Sequence, residues 1–129
     1  MYNQLLSSFL EYDIAQNIWI KINSSNTLSP SPIYYSAVVV DDLVFIFGGM
    51  VNISGNSVKD LLMYNITTKF WRTITPNGPS ISLVSTFTVP SFAKTVLLFG
   101  GYSYSAVNGF IPHDDFYKYN ISSNQWTLL

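Results

Sequence analysis

Cysteine is absent from this 129-residue chain, and histidine occurs once. The first absence removes disulfides, thiolate metal sites and a cysteine nucleophile. A lone histidine leaves too few ligands for an ordinary transition-metal centre. Charge is also scarce, at 10% of residues, against roughly 25% in a typical globular chain. The basic residues Lys21, Lys59, Lys69, Arg72, Lys94 and Lys118 stand singly and the net charge is −1. No basic patch forms, which argues against nucleic acid as a partner. The longest apolar runs, such as Ala37–Val40 and Leu43–Phe47, fall far short of the roughly 20 residues a membrane-spanning helix needs. Met1–Leu10 has no basic start ahead of an apolar run, so it does not read as a signal peptide. Together with the missing cysteines this favours a cytoplasmic location, with secretion the alternative if residues precede Met1.

What the chain does have is apolar surface. Hydrophobic residues make up 48% and aromatics 16%, enough to demand a core and to exclude disorder.

An internal repeat organises these residues. Tyr12 is followed seven residues later by Trp19, Tyr64 by Trp71, and Tyr119 by Trp126, which uses all three tryptophans. Trp19 to Trp71 is 52 residues, and Trp71 to Trp126 is 55. A diglycine keeps step: Gly48-Gly49 closes Leu43–Phe47, and Gly100-Gly101 closes Thr95–Phe99, 52 residues on. An acid stands four residues before each later tyrosine, Asp60 and Asp115. Gly49 to Tyr64 is 15 residues and Gly101 to Tyr119 is 18. The extra length of the second copy therefore lies entirely between its diglycine and its tyrosine, which reads as a surface-loop insertion.

Each copy reads as four short strands rich in Val, Ile, Phe, Tyr and Thr. Strand a is expected at Tyr35–Val40 and near Val84–Val89, strand b at Leu43–Phe47 and Thr95–Phe99. Strand c is expected at Leu61–Tyr64 and Phe116–Tyr119, and strand d at Phe70–Ile74 and Gln125–Leu128. Ahead of these come only a c–d pair near Phe9–Tyr12 and Ile18–Ile22. Asp41-Asp42 and Asn65–Lys69 supply turn chemistry. Tyr and Trp seven apart across a short turn fall on neighbouring antiparallel strands, where they can pair and fill space between stacked sheets.

These markers together resemble the kelch repeat, in which an apolar strand ending in Gly-Gly precedes a Tyr and a Trp at fixed spacing. The likeness runs from about Ser8 to Leu128. Tyr35 and Phe87 stand near the place of the histidine many kelch repeats carry in strand a, and Pro90 follows the first strand of the second copy. The resemblance implies an all-β fold: a partial kelch-type β-propeller of four-stranded antiparallel blades. The expected divisions are residues 1–22 (strands c and d of a first blade), 33–74 (a second blade) and 83–129 (a third). Propellers have 4–8 blades, and six at this period need roughly 310 residues. The chain is therefore expected to be a truncated product, a fragment, or a piece that completes itself by association or with further blades.

The function the resemblance implies is protein binding, without catalytic, cofactor-binding or metal-binding residues. The alternative is a piece of a kelch-propeller enzyme, either galactose-oxidase-like or of the iron-dependent kind that acts on plant defence compounds. The copper-radical centre of the former needs a Tyr–Cys cross-link and histidine ligands, which this chain cannot supply alone.

Four features invite sharper readings. The diglycines do not match dinucleotide or P-loop spacing and follow strand b in register, so they are structural. His113-Asp114-Asp115 is the one cluster with acid–base or metal character, but Asp115 already has a repeat role. A serine–histidine–aspartate triad is compatible with composition, though no G-x-S-x-G elbow supports it. Sequons occur at Asn23, Asn52, Asn65 and Asn120. The last two occupy the same turn of two repeats, where Asn-x-Thr/Ser is ordinary turn chemistry. Loops d-to-a and b-to-c share one rim of a blade: Asn23–Ile33, Met50–Lys59, Thr75–Ser82 and Tyr102–Asp114. The last carries Tyr102, Tyr104, Phe110 and His113 and is the expected partner-binding loop.

Overall fold

The computed structural model describes residues 9–24, 26, 32–51, 60–81, 87–91 and 94–129. The expected loops around Asn23–Ile33 and Met50–Lys59, the sequon at Asn52 and the start of strand a at Val84 lie partly or wholly outside these residues. All ten described elements are strands. β1 (Leu10–Asp13) and β2 (Ile18–Lys21) form a hairpin. β3 (Ser36–Val40), β4 (Leu43–Phe47), β5 (Leu61–Asn65) and β6 (Phe70–Ile74) form one sheet in chain order. β7 (Phe87–Ser91), β8 (Thr95–Ser105), β9 (Gly109–Asn120) and β10 (Gln125–Leu128) form the next. Every pairing is antiparallel. The first strands of the two sheets, β3 and β7, run beside one another, as the inner strands of adjacent propeller blades do. Among the described residues no helix is long and apolar enough to cross a membrane.

Three c–d turns share one construction. The side-chain oxygen of Asp13 accepts from the Gln16 N–H at 2.9 Å, Asn65 from Thr68 at 2.7 Å, and Asn120 from Ser123 at 3.0 Å. The residue after each acceptor loop, Asn17, Lys69 or Asn124, takes a left-handed φ between 51° and 56°. A short carboxylate or amide folding back on its own turn is what fixes such a geometry. Each turn sets the register that places Tyr opposite Trp: Tyr12↔Trp19, Tyr64↔Trp71 and Tyr119↔Trp126. The ring pairs are nearly superimposable, with centroids 4.9, 4.8 and 5.0 Å apart and interplanar angles of 47°, 46° and 44°.

Alternation along the strands gives each sheet two apolar faces. One face of β3–β6 presents Phe45, Phe47 and Leu61 to Tyr119 and Trp126 of the next sheet. Phe47 meets Trp126 edge-on at 5.6 Å, and Phe45 meets Tyr119 at 6.2 Å. The opposite face carries Ile46, Leu62, Tyr64 and Trp71 and is covered by Phe9 and Ile22. Phe9 packs edge-on against Tyr64 at 4.7 Å and Trp71 at 5.1 Å. Aromatic rings at such contacts bring large apolar areas into the core.

The connections leaving strand d close the outer edge of the following sheet. Asn26 donates from Nδ2 to the Trp71 carbonyl at 3.0 Å, and its Oδ1 accepts from the Trp71 N–H at 2.8 Å. One sheet later the main chain does this work: Asn77 accepts from the Trp126 N–H at 2.9 Å and donates to the Asn124 carbonyl at 2.9 Å. The chain passes so close there that a Cβ on Gly78 would sit 2.4 Å from the Trp126 carbonyl oxygen. Gly78 also holds φ at 95°, a conformation costly for any residue with a side chain.

Pro90 lies inside β7, opposite Val96. It is tolerated because β7 is an edge strand of its sheet, where a missing N–H interrupts no ladder.

Candidate functional site

Gly48-Gly49 and Gly100-Gly101 adopt matching backbones, with φ of 64° and 91° in the first pair and 60° and 107° in the second. Their consequences differ. After Gly49 the chain leaves the sheet, and Met50 exchanges two 2.8 Å backbone hydrogen bonds with Ile33 of the incoming connection. This places the d-to-a and b-to-c connections together on one rim. After Gly101 the strand continues. A bulge between Phe99 and Gly101 shifts the register, and pairing resumes at Gly101↔His113 and runs on to Ser105↔Gly109. Tyr102–Asp114, expected as a loop, is thus largely a two-stranded arm projecting beyond the blade. Only residues 106–108 at its tip form a turn.

Period-two alternation gives the arm two distinct faces. Tyr102↔Pro112 and Tyr104↔Phe110 are paired, so these four share one face. Phe110 meets Tyr104 at 5.2 Å and Tyr102 at 6.3 Å, both edge-on. Tyr102 and Phe110 are exposed, and Tyr104 is half-buried. His113 belongs to the other face. The structure therefore brings together three of the four expected partner-binding residues and turns the fourth away.

On that second face the His113 Nε2 lies 2.8 Å from the Ser103 Oγ, and Nδ1 lies 3.7 Å from the Asp115 carboxylate. The order is that of a hydrolytic triad, but the His–Asp separation is beyond a hydrogen bond. Both side chains are about a third or more exposed, at 32% and 41%, so water competes for each. The trio forms a polar cluster on that face, beside the exposed Ile111. Tyr117, just inside the sheet, has its phenol pushed above the ordinary value by burial first and then by the Asp115 carboxylate.

Among the described residues no group of three His, Cys, Asp or Glu side chains could hold a metal ion. A depression of about 460 Å³ lined by Met63, Asn65, Thr68, Phe70 and Arg72 lies at the c–d turn of the second sheet, the end opposite the arm. It brings together none of the expected binding residues.

The diglycines, Asp60 and Asp115 flank the b-to-c connections, and the three Tyr–Trp pairs stand on the c–d hairpins. Two sequence signals point to the arm itself. Tyr102-Ser103-Tyr104-Ser105 alternates with strand period, and Asn108-Gly109 is a hairpin-turn dipeptide. Gly109 indeed holds φ at 70°.

Compared with known families, the whole chain, residues 1–129, matches a family model described as the Attractin/LZTR1 beta-propeller.

Proposed function

Because the chain belongs to the Attractin/LZTR1 β-propeller family, we propose that it is a non-catalytic protein-binding module whose contact surface is the β8–β9 arm. The observation that carries the reading is the aromatic face of that arm. Phe110 meets both Tyr102 and Tyr104 on a paired hairpin, and the group is largely open to solvent. Tyrosine and phenylalanine supply large contact area at low conformational cost and anchor protein interfaces. Val107 at the tip is almost wholly exposed and extends the same apolar reach. Few charges surround the patch, so recognition rests on shape and apolar burial more than on electrostatic steering.

The test compares the parent chain with a Tyr104→Ala/Phe110→Ala variant as immobilised baits in extract from the source cells, with bound proteins quantified. The parent is expected to retain a defined set of proteins that the variant loses, while both melt at the same temperature. Equal retention by both baits removes the arm from the binding surface.

A further inference from the structure

The c–d hairpin of the second sheet departs from its two repeats at the residues that line the depression of about 460 Å³. Cross-strand pairing sets Met63 opposite Arg72 and Asn65 opposite Phe70, so the four share one face of β5–β6. Tyr119 and Trp126 of the following sheet cover Phe45 and Phe47 of β4. The turn end of β5–β6 lies beyond that cover, and Phe70 is left 41% exposed. Where this face has Met63, Phe70 and Arg72, the next repeat has Lys118, Gln125 and Thr127, and the opening hairpin has Glu11, Ile18 and Ile20. All three hairpins keep the Tyr–Trp pair and the polar turn acceptor. The shared shape therefore does not call for a phenylalanine or an arginine at these places. Arg72 is the single arginine of the chain, and it is exposed. All seven acidic side chains lie among the described residues, where the ion pair formed joins His113 to Asp115 and none of the seven pairs with Arg72.

We infer that this depression binds a small organic acid whose carboxylate is joined by a short link to a flat apolar group such as an aromatic ring. The Arg72 guanidinium presents a planar fork of donors that matches a carboxylate. The Asn65 Oδ1 is held by the Thr68 N–H at 2.7 Å, which leaves the Nδ2 donor for a second contact to the acid. Phe70 and Met63 offer a ring and a polarisable thioether to the apolar part. Donors and apolar side chains stand on adjacent cross-strand pairs, so the acid and its ring must be close together in the ligand. The volume falls in the range of roughly 300–1,000 Å³ that small-molecule pockets occupy. The site is at the end of the sheet opposite the arm and does not depend on the contact surface proposed there.

Titration of the isotope-labelled chain with 2-naphthylacetate, followed by nuclear magnetic resonance, tests this. Saturable shifts are expected at Asn65, Phe70 and the Arg72 Nε–H. The uncharged analogue 2-naphthylacetamide should bind about tenfold more weakly or worse, the loss expected for a hydrogen bond to a charged group. Arg72→Thr and Phe70→Gln install the residues that the next repeat carries at the same places, and each should weaken binding by a similar factor. Arg72→Lys keeps the charge without the fork and should fall between parent and Arg72→Thr. If either of the first two variants loses its circular dichroism spectrum, Arg72→Lys and the amide analogue still decide the question. A blocked tripeptide ending in phenylalanine should bind no more tightly than 2-naphthylacetate. Tighter binding of that peptide overturns the small acid as occupant in favour of a chain end. Shifts scattered over the surface, equal affinity for the amide, or full affinity in Arg72→Thr overturns the site.

Discussion

Trp19 and Trp126 make the same contact with the tyrosine seven residues earlier, but Trp19 is 69% exposed and Trp126 is 3% exposed. The hairpin that holds each pair is local: an acceptor side chain, a left-handed residue, and two strands in fixed register. Burial is not local. Trp126 is buried because the preceding sheet brings Phe47 over it. Trp71 is buried because the opening hairpin brings Phe9 over it. The repeat motif therefore specifies a shape, and the neighbouring blade decides whether that shape becomes core.

The largest expected effect tests that separation. Trp126→Ala should destabilise the chain by roughly 3–5 kcal/mol, the usual result of deleting a large buried aromatic. Trp19→Ala should cost under about 1 kcal/mol, its main loss being one cross-strand pair. Urea unfolding of the two variants beside the parent reads both losses. Similar losses for the two would mean that the local pair, and not its cover, carries the energy.

A smaller effect sharpens the comparison at the sheet edges. Asn26 satisfies both main-chain groups of Trp71 through its side chain, while Asn77 serves Trp126 through its backbone. Asn26→Ala should cost roughly 1–3 kcal/mol because it strips partners from part-buried groups. Asn77→Ala keeps the backbone bonds and should stay within about 0.5 kcal/mol of the parent. Equal melting temperatures for these two variants would show that the side-chain clasp contributes nothing.

The smallest effect is one of pH. Burial raises the phenol pKa of Tyr64 and Tyr119 above the ordinary value, with the Glu11 carboxylate adding to the effect at Tyr64. Above about pH 10 the unfolded chain loses these protons while the folded chain keeps them. The folded state then binds more protons, so stability falls as pH rises through that range and is unaffected by these groups below it. Melting temperatures measured from neutral to alkaline pH should decline, and Tyr119→Phe should flatten the decline. An unchanged slope in that variant would remove Tyr119 from the effect.

Much of the architecture is legible in the sequence because its markers are tied to backbone requirements. A diglycine at positive φ and a Tyr–Trp pair across a turn leave fixed spacings. The Asn65 and Asn120 turns are readable for the same reason, and the structure adds Asp13 as the third of the set. The arm is written in the sequence too, but a competing signal masks it. A diglycine reads as the end of strand b, and that signal outweighs the Tyr-Ser-Tyr-Ser alternation and the Asn108-Gly109 turn. Pro112 further discourages a strand, although among the described residues β9 has no paired strand on the far side of the arm and tolerates a missing donor. The placement of His113 away from Phe110 follows from strand alternation, which a loop does not impose. The edge closure by Asn26 leaves no trace in the sequence, since it joins residues 45 positions apart.

That edge closure has a bearing on how the protein avoids misassembly. β6 and β10 are the outermost strands of their sheets, and an open strand edge is a template on which foreign strands can grow. Trp71 and Trp126 sit near the start of these short strands, and their outward N–H groups are already taken. An incoming strand would find its ladder blocked at the second residue of each. Both strands are rich in the β-forming residues that favour cross-β stacking, and little charge is present to oppose it. A single amide side chain and a few atoms of connecting backbone thus occupy the edge position at which a foreign strand would pair. Cutting the connection after β2 or β6 would free that edge and loosen Ile22 or Ile81, which the same connections bring to the core.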